Sequence, residues 1–165
     1  PGSIFNEILI KKIKNKFLKK IKFSIILVCS KKLFESELKR FNAKVNLKSF
    51  CIEKGFYKRG IYIVDIPLDF KNLSLKKKNS YIKSSFQKGL DLIKEKKSLA
   101  LINGPISKKT FLKGKYKGIT EFLAFKTNTF NEVMLIFNKE LSVSPITTHV
   151  PINKVTQKII KVEIV

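Results

Sequence analysis

The chain has 165 residues, 44% of them hydrophobic, enough to bury one sizeable core, and no apolar run approaches the ~20 residues that a membrane span requires. A net charge of +23 and a pI near 10.1 would ordinarily suggest nucleic acid or an anionic membrane surface. Yet only Arg40 and Arg59 of the 35 basic residues are arginine, and specific base and phosphate readers lean on arginine's planar fork.

The lysine excess stands beside abundant Ile, Asn and Phe, and it reads as a compositional drift that coats solvent-facing positions. Neither nucleic acid nor membrane is therefore expected as a partner. Cys29 and Cys51 form no metal-type or redox-type spacing. Cys29 is expected to be a buried free thiol behaving as a small hydrophobe, and a cytoplasmic location fits best.

Along the chain, helices and strands alternate. Glu7 to Ile21 places Ile8, Leu9, Ile13, Phe17, Leu18 and Ile21 at helical spacing with lysines between, an apolar stripe opposite a basic face. Phe23 to Val28 is a β-branched and aromatic run of strand length. Ser30 offers an N-cap for a helix over Lys31 to Phe41 with Leu33, Phe34 and Leu38 inward. Asn42 to Tyr57 is ambiguous, with short strands as one reading. Gly60 to Ile66 is a strand halted by Pro67.

Asn79 to Lys97 is the longest helical pattern, with Ile82, Phe86, Leu90 and Ile93 on one face. Ser98 to Asn103 reads as a central strand broken by Gly104-Pro105, followed by helices over Ser107 to Leu112 and Thr120 to Lys126. Val133 to Phe137 and Leu141 to Thr147 read as two more strands, a hairpin through Asn138-Lys-Glu140, and Pro151 suits the first turn of a closing helix. This order predicts an α/β fold with a largely parallel or mixed sheet covered by helices. Ligands in such sheets sit at the carboxyl ends of strands, where three unusual segments are expected to fall.

The first segment is Asn103-Gly104-Pro105-Ile106-Ser107-Lys108. Gly104 allows backbone geometry closed to other residues, and amides of the helix behind it are candidates to face an anion; a tight strand-to-helix turn is the alternative. The second is Gly118-Ile-Thr-Glu-Phe122, in which Thr120 suits a helix N-cap with Glu121 in the first turn. The third is Thr147-Thr148-His149-Val150-Pro151, which carries the only histidine. A neutral imidazole held at a strand end suits a divalent metal such as Zn, Co, Ni or Fe(II), although a lone histidine is more often structural. No G-x-G-x-x-G is present, so a Rossmann dinucleotide site receives no support.

In that order and spacing the three segments resemble the 4-hydroxythreonine-4-phosphate dehydrogenases of pyridoxal phosphate biosynthesis. The patterns there are T-G-P-x-x-K, G-H-T-E-[FY] and T-T-H-[VIL]-P-L, and Asn103 replaces the first threonine. Pro1, Ile4 and Glu7 match the family's opening motif, while Ser3, Phe5 and Asn6 depart from it. The resemblance covers essentially the whole chain and is specific from about Leu99 onward.

The resemblance implies an incomplete three-layer α/β/α fold like that of isocitrate and isopropylmalate dehydrogenases. Residues 1–125 would be part of a first α/β domain and 126–165 the start of a second. It implies NAD or NADP and a divalent metal (Zn, Mg or Co) as cofactors, and a homodimer with the active site at the subunit interface. The substrate would be a small phosphorylated molecule, 4-(phosphooxy)-L-threonine, oxidised and decarboxylated to 3-amino-2-oxopropyl phosphate.

His149 takes the position of a metal ligand, and Thr120 that of a substrate contact. Ile119 stands where the family has a substrate-binding histidine, and an isoleucine can neither donate a hydrogen bond nor carry a charge. Gly104 and Lys108 belong to the loop of candidate ligand contact. No residue is assigned as catalytic base. Because Pro1 opens without an initiator methionine and Ile159 to Val165 stops inside an apolar pattern, the chain is expected to be a fragment, inactive alone, of a protein about twice its length. Two other readings stand beside the dehydrogenase: a derived protein with altered substrate or lost activity, motivated by Ile119, and a basic nucleic-acid-binding module, motivated by the charge.

Overall fold

The computed structural model describes residues 4–14, 20, 22–51, 58–69, 72–130 and 132–159. The chain falls into two compact units, Pro1–Phe111 and Leu112–Val165.

The first unit is built on a three-stranded parallel sheet. Strands β1 (Ile25–Cys29), β2 (Leu47–Ser49) and β3 (Ile61–Asp65) lie in the order β1-β3-β2. β3 sits in the middle, Ile61 pairing with Ile25 on one side and with Leu47 on the other. A central strand with neighbours on both edges is buried on both faces, which explains the unbroken apolar run Ile61-Tyr62-Ile63, each residue at most 3% exposed. β1 and β3 begin and end within two residues of the predicted strands, and β2 falls inside the ambiguous stretch that begins at Asn42.

Helices α1 (Ile4–Lys14) and α2 (Lys31–Arg40) pack on this sheet. Ile10 and Ile13 from α1, Phe34 and Leu38 from α2, and Ile61 and Ile63 from β3 form one core, with Leu27 and Leu47 at its margin. Burying side chains of this size contributes about 1.5–3 kcal/mol each. α2 starts as predicted: the Ser30 hydroxyl accepts from the Leu33 amide at 3.3 Å, and Leu33, Phe34 and Leu38 face inward. The α1 face is rotated from the predicted one. Ile8 is 51% exposed and Ile10 fully buried, because the core contacts the Ile10–Ile13 stripe. Phe17, Leu18 and Ile21 of the predicted stripe, like Pro1 of the opening motif and residues 160–165 of the expected truncated end, lie outside the described residues.

Helix α3 (Leu75–Lys94) begins earlier than predicted, because Ser74 caps it by accepting from the Lys77 amide at 3.3 Å. Phe86, Gly89 and Leu92 are its buried residues, while Ile82, Leu90 and Ile93 of the predicted face are half-buried. The Tyr81 hydroxyl accepts from the Ser30 amide at 2.9 Å, tying α3 to the end of β1. The helix closes with Lys96 in the left-handed region, φ 55°, while the Lys97 amide bonds back to the Leu92 carbonyl at 2.8 Å. This is the Schellman closure usually given to glycine.

Ser98 to Asn103 is not a strand. No described strand lies beside it to take its backbone hydrogen bonds, and Leu99 and Ile102 are exposed. The predicted helix after it is a single π-helical turn, Lys108–Leu112. Ser107 caps this turn by accepting from the Thr110 amide at 3.3 Å. Asn79 donates to the Thr110 carbonyl at 2.8 Å, and Phe111 stacks on Phe86 with ring centroids 6.0 Å apart.

The second unit holds α4 (Ile119–Thr127), the strands β4 (Ile136–Phe137) and β5 (Ser142–Val143), a 3-10 turn (Ile152–Lys154) and α5 (Val155–Ile159). β4 and β5 pair antiparallel, and the Asn138 amide donates to the Leu141 carbonyl across the turn at 2.8 Å, so the predicted hairpin is present. Its strands are shorter than predicted and exposed on every residue, because no other described element covers the ribbon. Pro151 precedes the 3-10 turn as its N-cap rather than standing inside the helix. Every described lysine is exposed except Lys48, Lys88 and Lys126, which are half-buried. No helix among the described residues is long and apolar enough to cross a membrane.

Candidate active site

The second and third motif segments meet inside the second unit. α4 opens at Gly118, whose backbone is extended with φ −159° and which has no side chain to cap the helix. Thr120 is thus the second residue of the helix, not its N-cap, and its half-buried hydroxyl bonds to no described residue. Ile119, also half-buried, is the first helical residue. The helix is anchored behind this turn by Phe122 and Ala124, 5% and 7% exposed. Tyr116 packs edge-on against Phe122 at 5.4 Å and tilted on Phe125 at 5.5 Å.

His149 lies in the irregular segment beyond β5 rather than at the end of a buried strand. The expectation that all three segments sit at the carboxyl ends of strands therefore gives way, since the parallel sheet belongs to the first unit. His149 has φ 55°, a left-handed conformation uncommon for a residue with a Cβ.

Its Nε2 lies 3.8 Å from Oε1 of Glu121, with the imidazole 43% and the carboxylate 27% exposed. The two groups face each other over Gly118. A methyl group at that glycine would lie 3.0 Å from the second Glu121 oxygen and 4.0 Å from His149 Nε2. Sequence reasoning assigned Glu121 only to the first helical turn. The spacing of Gly118 and Glu121, an N-cap and the third helical residue, places a carboxylate at the helix start but gives no signal of its approach to His149.

An exposed imidazole beside a carboxylate fits one ligand position of a divalent cation. Among the described residues no group of three or more His, Cys, Asp and Glu gathers, so these residues would supply at most part of a donor set.

The Asn103–Lys108 loop belongs to the first unit and has its own structural reason. A Cβ on Gly104 would stand 2.7 Å from Cβ and 2.8 Å from Cγ of Phe5, so the loop packs backbone-first on α1. Asn103 donates to the Gly104 carbonyl at 3.1 Å, and Lys108 is exposed.

Comparison with known proteins bears on both units. The family described as pyridoxal phosphate biosynthetic protein PdxA matches residues 21–165. The 4-hydroxythreonine-4-phosphate dehydrogenase of Sulfurihydrogenibium sp. (strain YO3AOP1) is 32% identical over 170 residues, an alignment spanning 100% of this chain and 52% of that protein. The enzyme of the same name from Campylobacter jejuni (strain RM1221) is 36% identical over 143 residues, 74% of this chain and 38% of that protein.

Among solved structures, a 4-hydroxythreonine-4-phosphate dehydrogenase from Burkholderia phymatum superposes with a TM-score of 0.71 at 22% identity, covering 95% of this chain and 50% of that one. A putative one from Salmonella typhimurium gives 0.71 at 18%, covering 94% and 51%. These structural likenesses establish the α/β fold. The chain spans about half the length of the Sulfurihydrogenibium relative.

Proposed function

This chain belongs to the pyridoxal phosphate biosynthetic protein PdxA family, and from that membership we propose that the full-length protein is a 4-hydroxythreonine-4-phosphate dehydrogenase. Its reaction would be the oxidation of 4-(phosphooxy)-L-threonine, followed by loss of carbon dioxide to give 3-amino-2-oxopropyl phosphate. When bound, NAD or NADP takes the hydride and a divalent cation acts as a Lewis acid toward the substrate alcohol. The observation that carries this reading is the convergence of His149 with the Gly118–Phe122 segment, two motif segments far apart in sequence that meet at one place.

Each side chain then has a role set by its chemistry. His149 offers a neutral nitrogen as one of the protein ligands of the cation, the others coming from residues outside this described set. Thr120 keeps a hydroxyl that no described residue engages, available to hold a polar group of the substrate. Ile119 offers only apolar surface there, so the substrate loses a polar contact its position would otherwise supply. A homodimer with the site at the subunit interface is part of the same proposal.

The test is metal-dependent NADH or NADPH formation by the full-length protein from 4-(phosphooxy)-L-threonine, abolished by a chelator and by His149→Ala. Full activity in His149→Ala would remove the site from this reading. Ile119 favours one second reading, a family member acting on a different phosphorylated hydroxy acid. Turnover of another substrate by the full-length protein, with none of 4-(phosphooxy)-L-threonine, would select it.

A further inference from the structure

We propose that Glu121 is the positioning residue of His149: its carboxylate fixes the imidazole so that the ring is held ready for a divalent cation, and Gly118 leaves the room for it to do so. The inference rests on the reading of His149 as a ligand position and goes beyond it by naming what holds the ligand.

Three observations carry it. The first is that His149 needs holding. It stands on a left-handed kink, φ 55°, with a 43% exposed ring, and Glu121 is the one charged group that contacts it among the described residues. At 3.8 Å the carboxylate lies near Nε2 but beyond hydrogen-bond distance, which leaves Nδ1 as the nitrogen for a cation. The second is that Glu121 does not do the task its place in the helix would suggest. The third helical residue commonly accepts from the N-cap amide, yet among the described residues the Gly118 amide makes no such bond, and one carboxylate oxygen is turned to the imidazole.

The third observation is the buried Gly118. Its φ of −159° is open to any residue, so conformation does not require glycine. A Cβ would lie 3.0 Å from a Glu121 carboxylate oxygen, the far end of a flexible side chain, and would shift it by a few tenths of an ångström on its line to His149. A carboxylate that accepts a hydrogen bond from the other ring N–H of a metal-binding histidine sets ring orientation and ligand basicity, the role Glu121 takes once it closes from 3.8 Å onto Nε2.

The experiment titrates Co2+ into the metal-free full-length protein and follows the visible absorption of the bound ion. Parallel titrations use Glu121→Gln, Glu121→Asp, Gly118→Ala and His149→Ala, with the melting temperature of each metal-free variant. Positioning predicts that Glu121→Gln weakens Co2+ binding about 10- to 100-fold and alters the spectrum while the metal-free melting temperature stays at the wild-type value. Glu121→Asp keeps the first-turn charge but withdraws it by a methylene, and should also weaken binding; Gly118→Ala should follow. Wild-type Co2+ affinity and spectrum in both Glu121 variants would overturn the proposal, as would a lowered melting temperature with unchanged affinity, the mark of a helix-start residue only. If His149→Ala also keeps full affinity, the ligand reading of His149 falls with it. If His149→Ala loses the ion while both Glu121 variants keep it, the positioning role alone is wrong.

Discussion

His149 and Glu121 stand 3.8 Å apart across the helix start at Gly118, one on a kinked loop and the other in the first turn of α4. Ile119 and Thr120, the residues of that turn proposed to face the substrate, therefore lie beside a polar pair and differ in chemistry. This placement makes their contributions separable by substitution.

Thr120→Ala should lower kcat/KM of the full-length protein by about 1–3 kcal/mol if its hydroxyl bonds a charged substrate. Because Gly118 and not Thr120 is the N-cap, the melting temperature should stay within a degree or two. If 4-(phosphooxy)-L-threonine is the substrate of the full-length protein, Ile119→His should leave affinity for it unchanged or tighten it. Weaker binding of the real substrate in that variant would show a pocket rebuilt around an apolar side chain. Steady-state kinetics and a thermal melt of each variant suffice.

Gly104→Ala tests the packing role of the first motif loop. Its new Cβ would meet Phe5 at 2.7 Å, and the atom it meets is the rigid base of the side chain, so α1 or the loop must move. A loss of about 1–3 kcal/mol is expected for such overpacking, read from the urea midpoint. Unchanged stability would mean that the glycine is not held by Phe5.

The parts of this fold legible in the sequence are those decided locally. Ser30 followed by Leu33, Phe34 and Leu38 announced α2, because a cap and a stripe are both written within ten residues. β1 and β3 were legible for the same reason, as short β-branched runs. Ile10 was not, since Ile8 and Ile10 flank Leu9 on opposite sides of the stripe, and which flank is buried is decided by the sheet beneath. Ser98–Asn103 has a strand's composition but no described neighbour to pair with, and pairing is a long-range fact. At the site, His149 was visible as a motif residue. Its partner Glu121 was not, because a carboxylate at the third helical position already had an ordinary explanation.

Cys29 should make the first unit sensitive to alkali. Burial pushes its thiol up to about 12, and the negative charge of Asp65 adds to the effect. An unfolded thiol ionises near 8.5, so between those values the folded chain holds a proton that the unfolded chain has released. The contribution is therefore fully present below about 8.5 and lost as pH rises toward 12. Urea midpoints measured from pH 8 to 11 should fall more steeply for the wild type than for Cys29→Ala. At pH 8 the folded thiol should react with iodoacetamide far more slowly than in urea, as followed by mass spectrometry.

The β4–β5 ribbon has a consequence for how copies of this chain behave toward one another in solution. Ile136, Phe137, Leu141 and Val143 are 60%, 72%, 66% and 45% exposed, on a molecule that carries a net +23. Charge repulsion holds copies apart while its range is long, about 30 Å at 0.01 M salt, and that range shrinks to about 8 Å at 0.15 M. The attraction between apolar ribbons is not screened and weakens on cooling. Light scattering of the 165-residue chain should therefore rise with added salt, fall back when the sample is chilled, and be suppressed by Phe137→Lys. Scattering that is indifferent to salt would mean that the ribbon is not what brings copies together.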